Sequence, residues 1–530
     1  MASPLGSSPD EQAHIRYAWG VATGQVTPWN AVEGEGAGGV KYVEVIVPNG
    51  LMNLPVTCYA GNAEQAACAA RTAYLADDQL VETTSLMDRY PQPYYLVTGL
   101  TMRIGLALGL DGTGAVAAAR VVSGVTDLSV LLTALAALLR RTRQGTVPAI
   151  AAVVLTPMTM SLFAAVNPNG WEIALAVLVA ACVAATRIDR VLHRTRSCRL
   201  LLVLVLGSLL LGLARPASIA WLLLLLCALL LPVQGEGVTG ALRYLGARWT
   251  AALATGTVPG VAWYLYANAS RGGGADGKDV SAWMDLPAWE RTLSVIEHFG
   301  VMVRAGYTDL GWSETSMPEL FFILWLGSCC AALGAAASRR DLRLRSLLMA
   351  TGVLLGSCLV IGLNSDAAAF AWQGRYLLPP LLAAVVLALA GDAVTSAAQT
   401  PGSAADARAA IGRRPAAFGM VVLAAVLGWL GLVISLNRYL YGFTEVYEHF
   451  SDLALAIGRH GTWRPMMSSA TILVLGGIGA LSWIALACLG PSVPRRPAPM
   501  AEVEPAAGKR VSPELEPTRN EPLTSAVTPD

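Results

Sequence analysis

The sequence predicts an all-α, polytopic integral membrane protein, and three observations carry that prediction. Only 14% of the 530 residues are charged and 55% are hydrophobic, with a mean hydropathy of +0.53. A soluble chain of this length would form several domains with roughly a quarter of its residues charged. Apolar runs recur at 114–139, 146–166, 171–187, 199–214, 216–233, 249–268, 318–337, 346–363, 376–394, 416–436 and 467–489, about eleven in all. Each is close to the length that crosses roughly 30 Å of hydrocarbon; the break at Arg215-Pro216 is the least distinct. Arginines gather in every second loop: Arg140, Arg141 and Arg143; Arg187 to Arg199; Arg243 and Arg248; Arg339 to Arg345; Arg408, Arg413 and Arg414. By the positive-inside rule those loops are cytoplasmic, in a multi-pass protein of the plasma membrane.

Residues 1–113 form the first region, polar and rich in Gly, Glu and aromatic residues, with short apolar pieces such as 43–48. Within it, residues 90–109 are apolar but carry Arg103 and several glycines, which suits an interfacial helix with Tyr94 and Tyr95 at headgroup level. The alternation of loops places this region outside the cell, together with 167–170, the 269–317 loop, 364–374 and 437–466. Yet M-A-S-P-L-G-S-S has neither the charged nor the apolar stretch of a signal peptide. The expectation is therefore a first spanning helix encoded upstream. Residues 114–490 form the membrane domain. The connector at 396–412 is expected to be flexible, and the Pro-rich, mixed-charge tail at 491–530 to be a disordered cytoplasmic extension.

Charges near apolar spans are expensive, so each needs a reason. In S-P-D-E-Q-A-H-I-R, a helix from Pro9 puts Asp10 and His14 one turn apart with Glu11 beside them. Such a cluster can take a proton, hold a cation or cap the helix through its acidic first turn. Arg120 can snorkel outward or face a cavity. Asn167, Asn169 and Glu172 in N-P-N-G-W-E-I read as a tight turn with an acidic helix start, or as substrate contacts. Arg375, with Gln373 and Tyr376 in Q-G-R-Y-L-L-P, is either an interfacial anchor or a guanidinium placed for a phosphate. The Trp-, Tyr- and carboxylate-rich 269–317 loop suits a sugar surface or a membrane-surface helix equally. Of nine cysteines, Cys58 and Cys68 alone stand close together in a polar region, where a disulfide is expected if that region is extracytoplasmic.

Several classes are excluded. No phosphate loop, H-E-x-x-H or nucleophile elbow occurs, and the net charge of +1 with no basic stripe gives nucleic acid no footing. No cofactor is called for; Asp10 with His14 is the one pairing offered for a divalent metal.

The P-D-E-x-x-H opening, P-x-P-Y-Y, A-A-R-V-V-S-G, T-P-M, N-P-N-G-W-E-I and Q-G-R-Y-L-L-P, spread in order over about residues 8–490, resemble an uncharacterised family of mostly actinobacterial polytopic membrane proteins. That family in turn resembles the GT-C superfamily of lipid-linked sugar glycosyltransferases. The resemblance implies transfer of a sugar from a polyprenyl-phosphate donor to an envelope glycan or lipid acceptor on the outer face, with inversion. It also implies Asp10, beside Glu11, as general base and Arg375 on the lipid phosphate. A transporter or flippase of lipid-linked sugars, or a silent scaffold, are the alternatives. A transporter would carry ionisable residues at the bilayer midplane and broken helices; Asp127, read in the outer half of its span, is the one such residue.

Overall fold

The computed structural model describes residues 2–26, 32–33, 41–52, 54, 56–68, 76–139, 141–142, 145–191, 197–231, 238–269, 286–336, 340–363, 374–397, 404–442 and 462–489. The 491–530 tail therefore lies outside the described residues.

The N-terminal region is not all-α. Between helix α1 (Glu11–Ala22) and helix α2 (Pro93–Ala107) runs an antiparallel sheet of β1 (Val32–Glu33), β2 (Lys41–Pro48) and β3 (Leu80–Ser85), in that order, with Val45 opposite Thr83. Its cause is the period-two pattern of V-E-V-I-V: Val43, Val45 and Val47 are buried while Glu44 and Ile46 face outward. The buried valines meet α1, which also packs along α2, and α2 packs on α3 (Gly112–Leu139).

Among the described residues every apolar stretch read as a span holds a helix, but not every one is a single straight helix. After α3 come α4 (Thr146–Val154), α5 (Pro157–Phe163), α6 (Pro168–Val191), α7 (Cys198–Gly212), α8 (Ser218–Leu230) and α9 (Val238–Ala269). Next are α10 (Ala288–Glu297), α11 (Phe299–Thr308), the hairpin of β4 (Asp309–Leu310) and β5 (Thr315–Ser316), α12 (Glu319–Ala336) and α13 (Arg340–Leu363). A 3-10 turn (Gly374–Tyr376) then leads to α14 (Leu378–Ala397), α15 (Ala404–Tyr441) and α16 (Ser469–Leu489). Among the described residues four helices are long and apolar enough to cross a membrane, α3, α6, α15 and α16, or five if the bent pair α4–α5 counts as one. The chain is thus a mostly helical protein with several membrane-length helices.

The stretch 146–166 is broken by a 73° bend. Pro157 has no N–H to continue α4, and the Thr156 hydroxyl accepts from the Thr159 amide to cap a new helix with proline at its first position. The 396–412 connector is helical from Ala404 onward, as its alanine and arginine content favours.

Helix α6 is the hub. Its apolar stretch is buried on all sides, and it packs against α3, α5, α7, α8 and α14. A run such as I-A-L-A-V-L-V-A-A-C-V-A-A presents small or apolar side chains in every direction, so neighbours approach from all of them. Its far end is tied by charges: Arg141 donates to Asp189 at 2.9–3.1 Å, and Arg187 and Arg190 donate to the last carbonyls of α8, at Ala228, Leu229 and Leu231. The opposite end, where α3, α6 and α8 begin, carries the N-terminal region.

Candidate functional site

Two neighbouring carboxylates, Asp10 and Glu11, are placed in opposite circumstances. Glu11, the first residue of α1, has no solvent exposure. Arg120 of α3 grips it through Nε (2.7 Å) and Nη2, and the amides of Gly6 (2.8 Å) and Val166 (2.9 Å) donate to its two oxygens. The remaining Arg120 bonds go to the carbonyls of Ser3 (3.1 Å) and Pro4 (2.8 Å). Arg120 is therefore neither snorkelling nor facing a cavity; it fastens the N-terminal segment to α3 and to the turn before α6.

Asp10 stands outside this clasp. Helix α1 starts at Glu11 rather than Pro9, and Asp10 precedes it in left-handed backbone (φ 63°) with no capping hydrogen bond from its side chain. That conformation is unfavourable for most residues but is tolerated by aspartate. It turns a side chain that keeps 43% exposure toward Arg375, whose Nη2 lies 3.4 Å from Oδ2. Asp10 therefore stands at the N-cap position, with Glu11 as the acidic residue of the first turn, but makes no side-chain capping bond.

Arg375 is presented by the 3-10 turn before α14. Gly374 makes that placement possible: a Cβ there would stand 2.0 Å from the Met302 carbonyl and 2.1 Å from the Gly306 amide of α11, so the turn can press against α11 only without a side chain. Arg375 is 6% exposed, yet its contacts are long: Nη2 reaches Asp10 at 3.4 Å and the Tyr376 hydroxyl at 3.3 Å, and Nε has no partner among the described residues.

A second guanidinium shares the place. Arg215, at the joint between α7 and α8, lies 4.5 Å from the centroid of the Tyr376 ring, and Arg375 lies 5.1 Å from the same ring. Arg215 donates to Glu172 at 3.0 Å and reaches the Tyr90 hydroxyl at 3.4 Å, while its Nε is buried without a partner among the described residues. Ser218 donates to the other Glu172 oxygen at 2.6 Å. His14 completes the wall: it is buried, its Nδ1 is bonded to the Tyr95 hydroxyl at 2.8 Å, and its ring meets Tyr90 edge-on. Burial first, then the charges of Arg215 and Arg375, hold the His14 imidazole well below its ordinary range.

The remaining expected residues divide. Asn167 donates to Ser8 Oγ (3.3 Å) and the Pro9 carbonyl (3.1 Å), and so holds the turn that delivers Asp10; its own oxygen accepts from the Asn169 amide. Asn169 is buried with its Oδ1 unpartnered among the described residues. Gln373 lies outside the described residues, as do Trp283 and Asp285 of the aromatic loop. Elsewhere in that loop Trp312 donates to the Gly6 carbonyl, and Glu314, whose carboxyl burial pushes up, accepts from Tyr439. Cys58 and Cys68 form a disulfide, and the loop it closes offers the carbonyls of Tyr59, Asn62 and Gln65 to Arg438 of α15.

Among the described residues no group of three or more His, Cys, Asp or Glu side chains is placed to hold a metal ion. A cavity at the α4–α5 bend is lined by Thr156, Pro157, Tyr307 and Trp325, away from this cluster. Sequence reasoning missed Arg215; its signal was an arginine left between two short apolar runs.

What the cluster can do follows from its donors. Two guanidiniums, each with an Nε that has no partner among the described residues, stand beside tyrosines and the His14 imidazole, a donor set of the kind that suits an oxyanion, and the partly exposed Asp10 carboxylate lies next to Arg375. The sequence profile of a family described as "Predicted membrane protein (DUF2142)" matches residues 1–384, a span that holds every residue of this cluster. No curated protein and no solved structure matches. The chain belongs to the DUF2142 family of predicted membrane proteins.

Proposed function

We propose that the chain is a GT-C-like glycosyltransferase that moves a sugar from a polyprenyl-phosphate donor to a hydroxyl of an envelope glycan or lipid, on the extracytoplasmic face. The observation that carries the reading is the meeting of one exposed carboxylate, Asp10, with the buried Arg375 and the part-buried Arg215, each with an Nε that has no partner among the described residues, around one tyrosine ring. An inverting displacement needs one base and one phosphate clamp. The acceptor oxygen forms a bond to the anomeric carbon as the bond from that carbon to the phosphate oxygen breaks. The acceptor proton goes to Asp10, and the electron pair leaves with the lipid phosphate, whose charge the arginines neutralise. Glu11 serves this reading as the clasp that fixes Asp10 in place, and Asn167 and Glu172 as positioning residues for Asp10 and Arg215. Sidedness rests on the arginine pattern, with the Arg141, Arg187 and Arg190 end cytoplasmic. The eleven helical stretches are proposed as the membrane body, residues 1–113 as its outer region and 491–530 as a cytoplasmic tail.

The test is release of polyprenyl phosphate by the purified full chain in nanodiscs, offered a panel of polyprenyl-phosphate sugars with envelope extract as acceptor source. Wild type should release it from one donor, and Asp10→Asn should lose at least about hundredfold in rate while keeping its thermal unfolding midpoint. Equal rates in the two proteins, or no release from any donor, would contradict the reading. A transporter reading draws on a different pair of features, Asp127 inside α3 and the broken α4–α5 pair. Donor-independent flipping of labelled lipid by Asp10→Asn would favour it.

A further inference from the structure

Helix α10 divides into three sectors around its axis. Thr292 and Val295 turn toward α13: Val295 is buried, and a Cβ on Gly362, the next-to-last residue of α13, would stand 2.5 Å from Thr292 Oγ1, so the two helices approach closely there. Glu290, Ser294 and Glu297 make up a polar sector. The third holds Trp289, Leu293 and Ile296, which follow one another at spacings of four and three and so form one line along the helix. They are 65%, 47% and 41% exposed. Three large apolar side chains aligned on a surface call for a cover.

The position of the helix says what that cover is. Helix α10 crosses α13 at the last turn of that apolar helix. Helix α11 follows at once, leaves Val301 exposed, and is tied through Arg304 to Glu319, the first residue of α12, at 2.7 Å. Helix α12 is itself apolar, and its exposed Leu320, Ile323 and Leu326 recur every three residues, as on a face turned to acyl chains. The elbow α10–α11 therefore lies against the ends of two apolar helices, where acyl chains give way to headgroups. A helix with one protein-facing, one apolar and one polar sector, and with a tryptophan on the apolar one, is suited to that boundary. A sugar surface would need hydrogen-bonding side chains in line with the ring; here leucine and isoleucine stand in line with Trp289.

We propose that the elbow α10–α11 is seated in the lipid leaflet at the end of the bundle that carries the Asp10–Arg375 cluster, with Trp289, Leu293 and Ile296 among the acyl chains. Bilayer lipid, not a glycan or a second protein, covers this face. Gly374 presses against α11, so the seated elbow also sets the depth of Arg375, at the level of the headgroups, where a lipid-borne phosphate lies. The seat draws nothing from the glycosyl-transfer reading, so the two stand or fall separately.

The test takes the full chain in nanodiscs of phosphatidylethanolamine and phosphatidylglycerol. The fluorescence difference between wild type and Trp289→Phe isolates that one indole, and it should be quenched when the lipids carry bromine on the upper part of the acyl chain. In a second measurement a nitroxide is attached to a ketone side chain introduced in turn at Glu290, Leu293, Ile296 and Glu297, so that the native cysteines stay in place. The ratio of its collisions with oxygen, which concentrates among acyl chains, to those with a water-soluble nickel chelate should be several-fold higher at Leu293 and Ile296 than at Glu290 and Glu297. An unquenched Trp289, or one ratio at all four positions, would mean an aqueous face and overturn the proposal. Labels at Leu293 and Ile296 that neither reagent reaches would mean that protein covers the face, and would overturn it as well. A label that upsets the fold leaves the Trp289 measurement standing.

Discussion

Arg120 and Arg375 are buried to nearly the same degree, 3% and 6% exposed, and both face a carboxylate from the S-P-D-E turn, yet their donors are spent differently. Arg120 places Nε, Nη1 and Nη2 on the two oxygens of Glu11 and on two backbone carbonyls, none of these contacts beyond 3.1 Å. Among the described residues Arg375 has hydrogen bonds from Nη2 alone, at 3.3 and 3.4 Å, and Arg215 beside it leaves its own Nε without a partner. Burial alone therefore does not separate an arginine whose donors are filled from one with donors to spare. The count of donors left over does, because an unsatisfied buried N–H costs about 1–3 kcal/mol and more when charged. A ligand that takes up those donors recovers that cost.

The comparison breaks most visibly at its filled end. Glu11→Ala leaves Arg120 charged, buried and unpaired, and should lower stability by about 3–5 kcal/mol, read as a fall in the thermal unfolding midpoint in detergent. Replacing both partners, Glu11→Leu with Arg120→Met, should recover much of that loss. If the single variant is as stable as wild type, the clasp is not what fixes the turn. A smaller effect should come from Arg438, which is filled by backbone carbonyls of the disulfide loop. Cys58→Ser with Cys68→Ser frees that loop and should cost about 2–3 kcal/mol, with faster amide exchange confined first to residues 56–68. The smallest effect concerns His14. Its depressed basicity means that the unfolded chain binds a proton at His14 before the folded one does. Stability contributed by the neutral ring is complete above about pH 6.5 and falls by up to about 1.4 kcal/mol per unit as pH drops below that value. His14→Phe should flatten this slope; an unchanged slope would place the titrating group elsewhere.

The sequence made part of this legible for one reason: a charge in an apolar chain must be accounted for. That reasoning selected Asp10, Glu11, Arg120, Glu172 and Arg375, and the fold brings all five to one end of the bundle. It could not assign their pairings, since Asp10 and Arg375 are 365 residues apart and Asp10 and Glu11 are chemically alike. Only three-dimensional packing decides which of two adjacent acids is enclosed. Arg215 was passed over because hydropathy treats an arginine between two short apolar runs as a boundary. The same averaging hid the α4–α5 bend, since one threonine and one proline barely dent a long apolar run. The sheet was hidden differently: the alternation of valines in β2 is a period-two signal inside a region read for its polarity, and its partner β3 pairs through Thr83 and Thr84, which carry little hydrophobic signal. Asp127, read in the outer half of its span, sits near the middle of α3, as it does of the stretch 114–139 itself.

The most direct test of the central claim is binding of polyprenyl phosphate, with the phosphate-free polyprenol as control, to the purified chain in nanodiscs. Wild type should prefer the phosphate by at least about tenfold, as expected for charge-assisted bonds worth about 1.5–3 kcal/mol. Arg375→Ala should abolish the preference while leaving the unfolding midpoint near that of wild type, Arg215→Ala should abolish it with a lowered midpoint because Glu172 is left buried without its arginine, and Arg375→Lys should retain part of it. Equal affinity for phosphate and alcohol in wild type, or a preference untouched by either alanine variant, would contradict the account.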